Sequence, residues 1–170
     1  DAKETRREAS ITYSDKTNLE SSRPRFSSFN INSINYSDYD YSHGDINYIS
    51  FTSGYLAILQ ESRVSLIPLS KNVISDASGG SNIIASNAIL GEAIPQVGFK
   101  GCDSPESVVV NDDVIYYANK RHGDIYSYNR GQGIKNLSDG VIESAISSAF
   151  NQLSDDDGVL KMIGGYDPYK

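Results

Sequence analysis

The sequence predicts a mostly β fold, built of short antiparallel meanders in β-propeller-like blades, with one amphipathic helix near residues 139–153. Three observations carry this prediction. Apolar residues fall in short runs rich in Val, Ile and Tyr, separated by clusters of Gly, Asn, Asp and Ser. The chain has 12 Tyr and no Trp, and only 38% of its 170 residues are hydrophobic. Burial therefore falls on amphipathic rings, Ile and Val, which suits thin-cored sheets and surfaces that meet neighbours. Finally, Glu106 to Asn129, ESVVVNDDVIYYANKRHGDIYSYN, packs three β-type runs and two polar breaks into one stretch.

Residues 1–45 read as an extended arm or loop segment. Ile11-Thr12-Tyr13 has strand composition, and residues 14–47 are rich in Ser, Asn, Asp and Tyr, with short strand pieces expected around Phe26 to Phe29. From 46 to 170 the pattern is that of the propeller-like portion. Strands are expected at Ile46–Phe51, Tyr55–Leu59 and Val64–Leu69, with turns at Thr52-Ser53-Gly54 and Gln60-Glu61-Ser62-Arg63. Pro68 lacks an N–H and is expected at an edge or a strand end. Residues 75–82 read as a flexible loop, followed by short apolar stretches at Ile83–Ser86 and Ile89-Leu90, and Gln96 to Asp103 as a Gly-punctuated turn.

The stretch 106–129 and its continuation give strands at about 107–110, 114–118, 125–128 and 133–135. Their turns use residues that tolerate positive φ or close Asx-turns. Alone, such a sheet leaves a hydrophobic face bare; repeated radially, each face covers its neighbour. Val141, Ile142, Ala145, Ile146, Ala149, Phe150 and Leu153 then form one helical stripe, with Ser138 or Asp139 as the N-cap. Val159 to Tyr166 starts another strand. The ends, Asp1-Ala2-Lys3-Glu4 and Tyr169-Lys170, suggest a piece cut from something longer.

A net charge of -7 argues against a general nucleic-acid binder, which would carry a basic patch. It fits an acidic channel wall that lets DNA slide. The single Cys102 cannot form an intramolecular disulfide. There is no apolar run of transmembrane length and no signal-peptide pattern.

Candidate chemistry is sparse. Cys102 would need a base, and neither His43 nor His122 stands at a recognisable spacing, so a structural thiol is expected. His43-Gly44-Asp45 and His122-Gly123-Asp124 share a triplet. A metal or acid–base pair is one reading; a turn with Gly at positive φ and an Asx-turn Asp before a strand is the better one. Asp155-Asp156-Asp157-Gly158 lacks the ligand alternation of a calcium loop. Gly131-Gln132-Gly133 and Ser78-Gly79-Gly80-Ser81 open no helix after a buried strand and read as turns, not phosphate loops. Asn35-Tyr36-Ser37 and Asn136-Leu137-Ser138 match a glycosylation sequon, a pattern common by chance. Tyr116, Tyr117, Tyr126 and Tyr128 suit cross-strand packing. Tyr36, Tyr39 and Tyr41 suit contact with another subunit better than sugar stacking.

Five ordered segments carry a family likeness: RREASITYSD (Arg6–Asp15), GYLAILQESRVSLIPLSKNVI (Gly54–Ile74), SNIIASNAILGE (Ser81–Glu92), GCDSPESVVVNDDVIYYANKRHGDIYSYN (Gly101–Asn129) and GQGIKNLSD (Gly131–Asp139). Together they resemble tail structural proteins of bacteriophages, most closely the tail muzzle or nozzle proteins of crAss-like phages, podovirus-type phages of gut Bacteroides. The resemblance implies β-propeller-like domains, assembly as homo-oligomeric rings at the distal end of a short tail, and a conduit for the genome and ejected proteins. It implies no enzymatic activity, no catalytic, cofactor-binding or metal-binding residues, and no cofactor. The implied partners are copies of the chain, other virion tail proteins, the remainder of its own polypeptide and, in passing, DNA. Two rival readings are a carbohydrate-binding or carbohydrate-cleaving propeller and a cellular propeller interaction module. The first would need paired carboxylates, drawn from Glu106, Asp112, Asp113 and Asp124.

Overall fold

The computed structural model describes residues 6–14, 29, 35–75, 81–98, 100–140, 143–154 and 162–169. Two short strands, β1 (Ser10–Thr12) and β2 (Tyr36–Asp38), pair antiparallel and lead into a 3-10 turn at Tyr41–His43. β3 (Ile46–Thr52), β4 (Tyr55–Gln60), β5 (Val64–Ser75) and β6 (Ser81–Leu90) then run as an antiparallel meander. The short β7 (Ile94–Pro95) returns to pair with Ser65 and Leu66 of β5. After a 3-10 turn at Pro105–Ser107 comes a second meander of β8 (Val109–Asn111), β9 (Val114–Asn119), β10 (Asp124–Asn129) and β11 (Gly133–Asn136). Helix α1 (Glu143–Ser154) follows.

Among the described residues the chain is thus mostly antiparallel β with one short helix, as its short Val-, Ile- and Tyr-rich runs and turn residues dictate. The four strands expected between 107 and 135 form one sheet in the order β11-β10-β9-β8. Ser53 and Gly54 take positive φ in the β3–β4 turn, and Asp112 does so between β8 and β9. Among the described residues the sheets close into neither a barrel nor a propeller.

Alternation along β4 divides the core in two. Ala57 and Leu59, with Val64 and Leu66 of β5, face Ile115, Tyr117, Tyr126 and Tyr128 of the second sheet. Ile58 and Ile67 point the opposite way, into a cluster with Leu90. Ile11, Tyr13 and Tyr39 from the N-terminal segment pack on that cluster. Each fully buried aliphatic side chain contributes roughly 1.5–3 kcal/mol, so these two clusters dominate the stability of the fold. The expectation of bare sheet faces is therefore corrected: the two meanders cover one another, and the segment before β3 lies on the far face of the first. Backbone bonds fix that segment, with Ile46 N–H donating to Glu8 O at 3.1 Å and Tyr39 N–H to Ala9 O at 2.8 Å.

Several boundaries differ from the sequence reading. Pro68 does not end its strand. It faces Tyr55 at the last β4–β5 pair, while its carbonyl accepts from Gly91 N–H at 2.9 Å. A missing N–H is tolerated there because β5 is passing from β4 to β6, and a bulge between Leu69 and Lys71, with Ser70 at φ +53°, completes the hand-over. The stretches at 83–86 and 89–90 belong to one strand, β6. The expected helix is present as α1, described over Glu143–Ser154, with residues 139–140 in a turn, and the hydroxyl of Ser138 is engaged elsewhere. Ser138 is buried against the second sheet, accepting from Ile125 N–H and donating to Asp124 Oδ1 or Asn136 Oδ1. Among the described residues, 162–166 form no strand, and Gly164 N–H donates to Glu106 O at 2.9 Å. Phe29 lies in neither helix nor strand. The expected strand pieces at 26–28, most of the loop at 75–82 and the start of the strand at 159–161 lie outside the described residues.

Candidate functional site

Among the described residues a dense polar network marks the seam where residues 100–107 cross between the two sheets. Gly101 lies so close to the β4–β5 turn that a Cβ would stand 2.2 Å from Gln60 O and 2.4 Å from Arg63 N. Cys102 N–H donates to Gln60 O at 2.9 Å, and Asn47 Nδ2 reaches Cys102 O at 2.8 Å. From the second sheet, buried Asn119 donates to Gly101 O at 2.8 Å and Glu61 O at 3.3 Å, and accepts from His122 N–H. Tyr117 Oη donates to Lys100 O at 2.8 Å.

Asp103 and Ser107 finish the joint. The Asp103 carboxylate accepts from Lys120 N–H at 2.9 Å and Arg121 N–H at 3.2 Å, capping the β9–β10 turn. Ser107 Oγ donates to Ser104 O at 2.6 Å and accepts from Ala118 N–H at 3.0 Å. Arg121 pairs with Glu61 at 2.9 Å, and these two, with Asp103 and Lys120, line a polar recess of about 390 Å³. Gln60 and Asn47 bind the crossing segment to the first sheet, Asp103, Ser107 and Tyr117 bind it to the second, and Asn119 and Arg121 reach Glu61 directly, so the seam ties the two meanders together.

Cys102 lies wholly inside this joint. Burial pushes its thiol pKa up, against hydrogen bonding to Ser104 and Ser107. Its Sγ donates to Ser104 O at 3.3 Å, and among the described residues no imidazole contacts it. A protonated, enclosed thiol packs as a small apolar group.

The two His-Gly-Asp triplets sit in different settings. Both glycines take the left-handed conformation, Gly44 at φ +78° and Gly123 at φ +68°, as turn chemistry asks. Both are also crowded: a Cβ would lie 2.7 Å from Glu61 at the first and 2.7 Å from Ser147 of α1 at the second. The expected Asx-turn at the Asp is not formed at Asp124. Its carboxylate instead accepts from Tyr126 Oη at 2.8 Å and Ser138 Oγ at 3.0 Å. The Asx-turn before β3 belongs to Asp40, which accepts from Ser42 N–H at 2.9 Å.

His43 is buried, with Nδ1 3.3 Å from Ser62 Oγ and Nε2 3.5 Å from Asp40. A Ser–His–Asp line invites a nucleophile reading. However, Ser62 N–H donates to His43 O, so that donor is unavailable to a developing oxyanion, and Ser62 Oγ also lies 3.3 Å from the same carbonyl. With Gln60 Nε2 donating to Asp40 O and Gly44 O, the set docks the 3-10 turn onto the β4–β5 turn.

The carboxylates considered for glycan chemistry are dispersed in role. Asp112 and Asp113 are exposed in the β8–β9 turn, and Glu106 lies in the 3-10 turn before β8. Burial works to raise the Asp124 pKa, but hydrogen bonds from Tyr126, Asn136 and Ser138 outweigh it, and the net value is low. Asp124 is thus held ionised, the wrong state for a general acid. Among the described residues no three ligating side chains converge as a metal site. Asp155 to Asp157 and Ser78 to Gly80 lie outside the described residues. Gly133 has φ +73° in the β10–β11 turn, and Asn136 of the second sequon accepts from Ser138 N–H.

The tyrosines divide by face. Tyr117, Tyr126 and Tyr128 are buried between the sheets, Tyr117 and Tyr126 with ring centroids 5.6 Å apart. Tyr116 points outward, where with Val109, Ala118, Ile125 and Ile163 it lines an apolar groove of about 330 Å³. Tyr36 and Tyr41 are exposed, Tyr36 beneath the Arg7 guanidinium at 4.4 Å, whereas Tyr39 packs in the core. Asp103, Asn119, Asn47 and Gln60 were not distinguished by sequence reasoning. They resemble ordinary turn and strand-end residues, and only the close approach of Gly101 signals that polar groups must meet there.

No family model matches the chain, and no curated protein matches it. Among the described residues no helix is long and apolar enough to cross a membrane.

Proposed function

We propose that this chain is a structural component of a bacteriophage virion tail, part of a muzzle or nozzle that forms the distal conduit for genome and protein ejection. It works by mechanics and not by catalysis. The observation that carries the reading is the seam: Asp103, Ser107 and Tyr117 hold the crossing segment to the second sheet, and Asn119 and Arg121 reach Glu61 of the first. A conduit wall needs a body that transmits load without shearing, and buried hydrogen-bonded networks rigidify in that way. The ordered sequence likeness to crAss-like phage tail proteins supports the same reading, as does the net charge of -7, which repels DNA in transit.

In this reading the two meanders are successive propeller-like blades, each covering one face of the other. The partners are copies of the chain, other tail proteins and the rest of its polypeptide. Mass spectrometry of gradient-purified virions tests the proposal. Peptides of this chain are expected to copurify with the tail proteins at constant ratio; their absence from particles overturns it.

A further inference from the structure

Of the aspartates among the described residues, Asp139 alone is followed by glycine. The others precede Tyr, Ile, Ser, Asp, Val or Pro, which crowd the next backbone nitrogen or, for Pro, leave it no proton. Glycine has no Cβ, so its N–H is open to approach. The Asp139–Gly140 step lies in the turn between β11 and α1, and both residues are exposed. Gly140 has φ +99°, and a Cβ placed there would meet nothing within 4 Å. Among the described residues no donor reaches the Asp139 carboxylate. Carboxylates elsewhere are tied: Asp38 by Arg7 and Ser10, Asp103 by the N–H groups of Lys120 and Arg121, and Asp124 by Tyr126 and Ser138.

We propose that Asp139–Gly140 is a site of spontaneous backbone isomerisation. The backbone nitrogen of Gly140 attacks Asp139 Cγ. The N–Cγ bond forms, and one carboxyl oxygen leaves as water with the amide and carboxyl protons, closing a succinimide ring. Water then adds to either ring carbonyl. Cleavage of N–Cγ restores aspartate. Cleavage at the α-carbonyl leaves Gly140 joined through Cγ, with the α-carboxylate free, which is isoaspartate. Water is lost and regained, so the mass of the chain is unchanged while its backbone gains a carbon. The position gives this change a structural consequence. Ser138, just before the step, is buried with its hydroxyl bonded to the second sheet. Beyond the step, Ser147 of α1 stands so near the β9–β10 turn that a Cβ on Gly123 would lie 2.7 Å from its Oγ. The link between these two fixed points is the one that lengthens, so isomerisation loosens α1 from the sheet.

Ageing of the folded chain at neutral pH and physiological temperature tests it. Asp-N protease cuts before aspartate but not before isoaspartate. A mass-neutral loss of the cut before residue 139 is expected, with the cuts before Asp38, Asp103 and Asp124 retained. The loss is expected at a similar rate in urea, because the fold does not shield this step. Methyl transfer from S-adenosylmethionine by an isoaspartyl methyltransferase counts the product. In a D157E background, which removes the Asp-Gly step outside the described residues, D139E is expected to lower that count at least ~10-fold, since Glu closes only a larger and slower imide. D139N is expected to convert faster, with loss of ammonia and the mass change of deamidation. An aged chain that keeps its cut before residue 139, a folded state that blocks a conversion seen in urea, or an equal loss of the cuts before Asp103 and Asp124 overturns the site.

Discussion

Arg130 lies over the ring of Tyr55, with Cζ 4.2 Å from the centroid, and its guanidinium donates to Ser53 O at 3.1 Å and Tyr55 Oη at 3.2 Å. One side chain on the β10–β11 turn thus holds the β3–β4 turn, latching the two sheets at the end away from the seam.

Replacing Arg130 with Ala is expected to destabilise the chain by about 1 kcal/mol, within the range of an exposed cation–π contact plus hydrogen bonds. R130K should recover less than half, because an ammonium cannot span both acceptors while stacking. Urea midpoints measure both. A wild-type midpoint for R130A would mean the sheets are held without the latch.

Tyr117 and Tyr128 lie in the same buried layer with opposite hydrogen-bonding fates. Tyr117 donates to Lys100 O, whereas Tyr128 Oη has no partner among the described residues. Y117F is expected to cost about 1–2 kcal/mol, and Y128F to be neutral or to stabilise by up to about 1 kcal/mol. Equal losses in chemical denaturation would show that the two hydroxyls are not distinguished in this way.

Two glycines separate close approach from backbone strain. At Gly101 a Cβ would collide with backbone, which cannot yield, so G101A is expected to cost about 3 kcal/mol or more, or to prevent folding. At Gly133 the surrounding space is open but φ is +73°, so G133A should cost about 1–2 kcal/mol. Expression level and thermal midpoint rank the pair; the reverse order would contradict the seam geometry.

The buried tyrosines and Cys102 set the alkaline limit. Burial raises the pKa of Tyr117, Tyr126, Tyr128 and Cys102, and pushes Tyr39 up to about 12. In the unfolded chain these groups ionise near their ordinary values of 9.0 for the thiol and 10.0 for the phenols. The unfolded state therefore releases protons first. Their contribution is complete below those values and is lost as pH rises through the folded ones. Tyrosinate absorbance should show the buried set ionising above the ordinary phenol value and together with loss of structure. One smooth titration of all rings near the ordinary value would contradict the burial.

Much of the β architecture is legible in the sequence for physical reasons. The turn at Asn111-Asp112-Asp113 is local chemistry, and Asp112 adopts the positive φ expected of it. The same holds for the strands on either side, short Val, Ile and Tyr runs bounded by polar breaks. Non-local events were not legible. Pro68 looks like an end because its lost N–H is local, whereas the hand-over from β4 to β6 depends on residues more than twenty positions away. Ser138 looks like a helix cap because it precedes an apolar stripe, yet Asp124 and Ile125 claim its hydroxyl. The mutual cover of the two meanders was missed for the same cause. Strand composition reveals an apolar face but not which face meets it.

The role proposed for this chain is that of a wall element of a phage tail. Electron microscopy of purified particles, with a specific antibody against the chain carried on gold, tests it most directly. Label confined to the distal end of the tail is the expected result. Particles that carry no label, with the chain recovered only in the soluble fraction of the lysate, would contradict it.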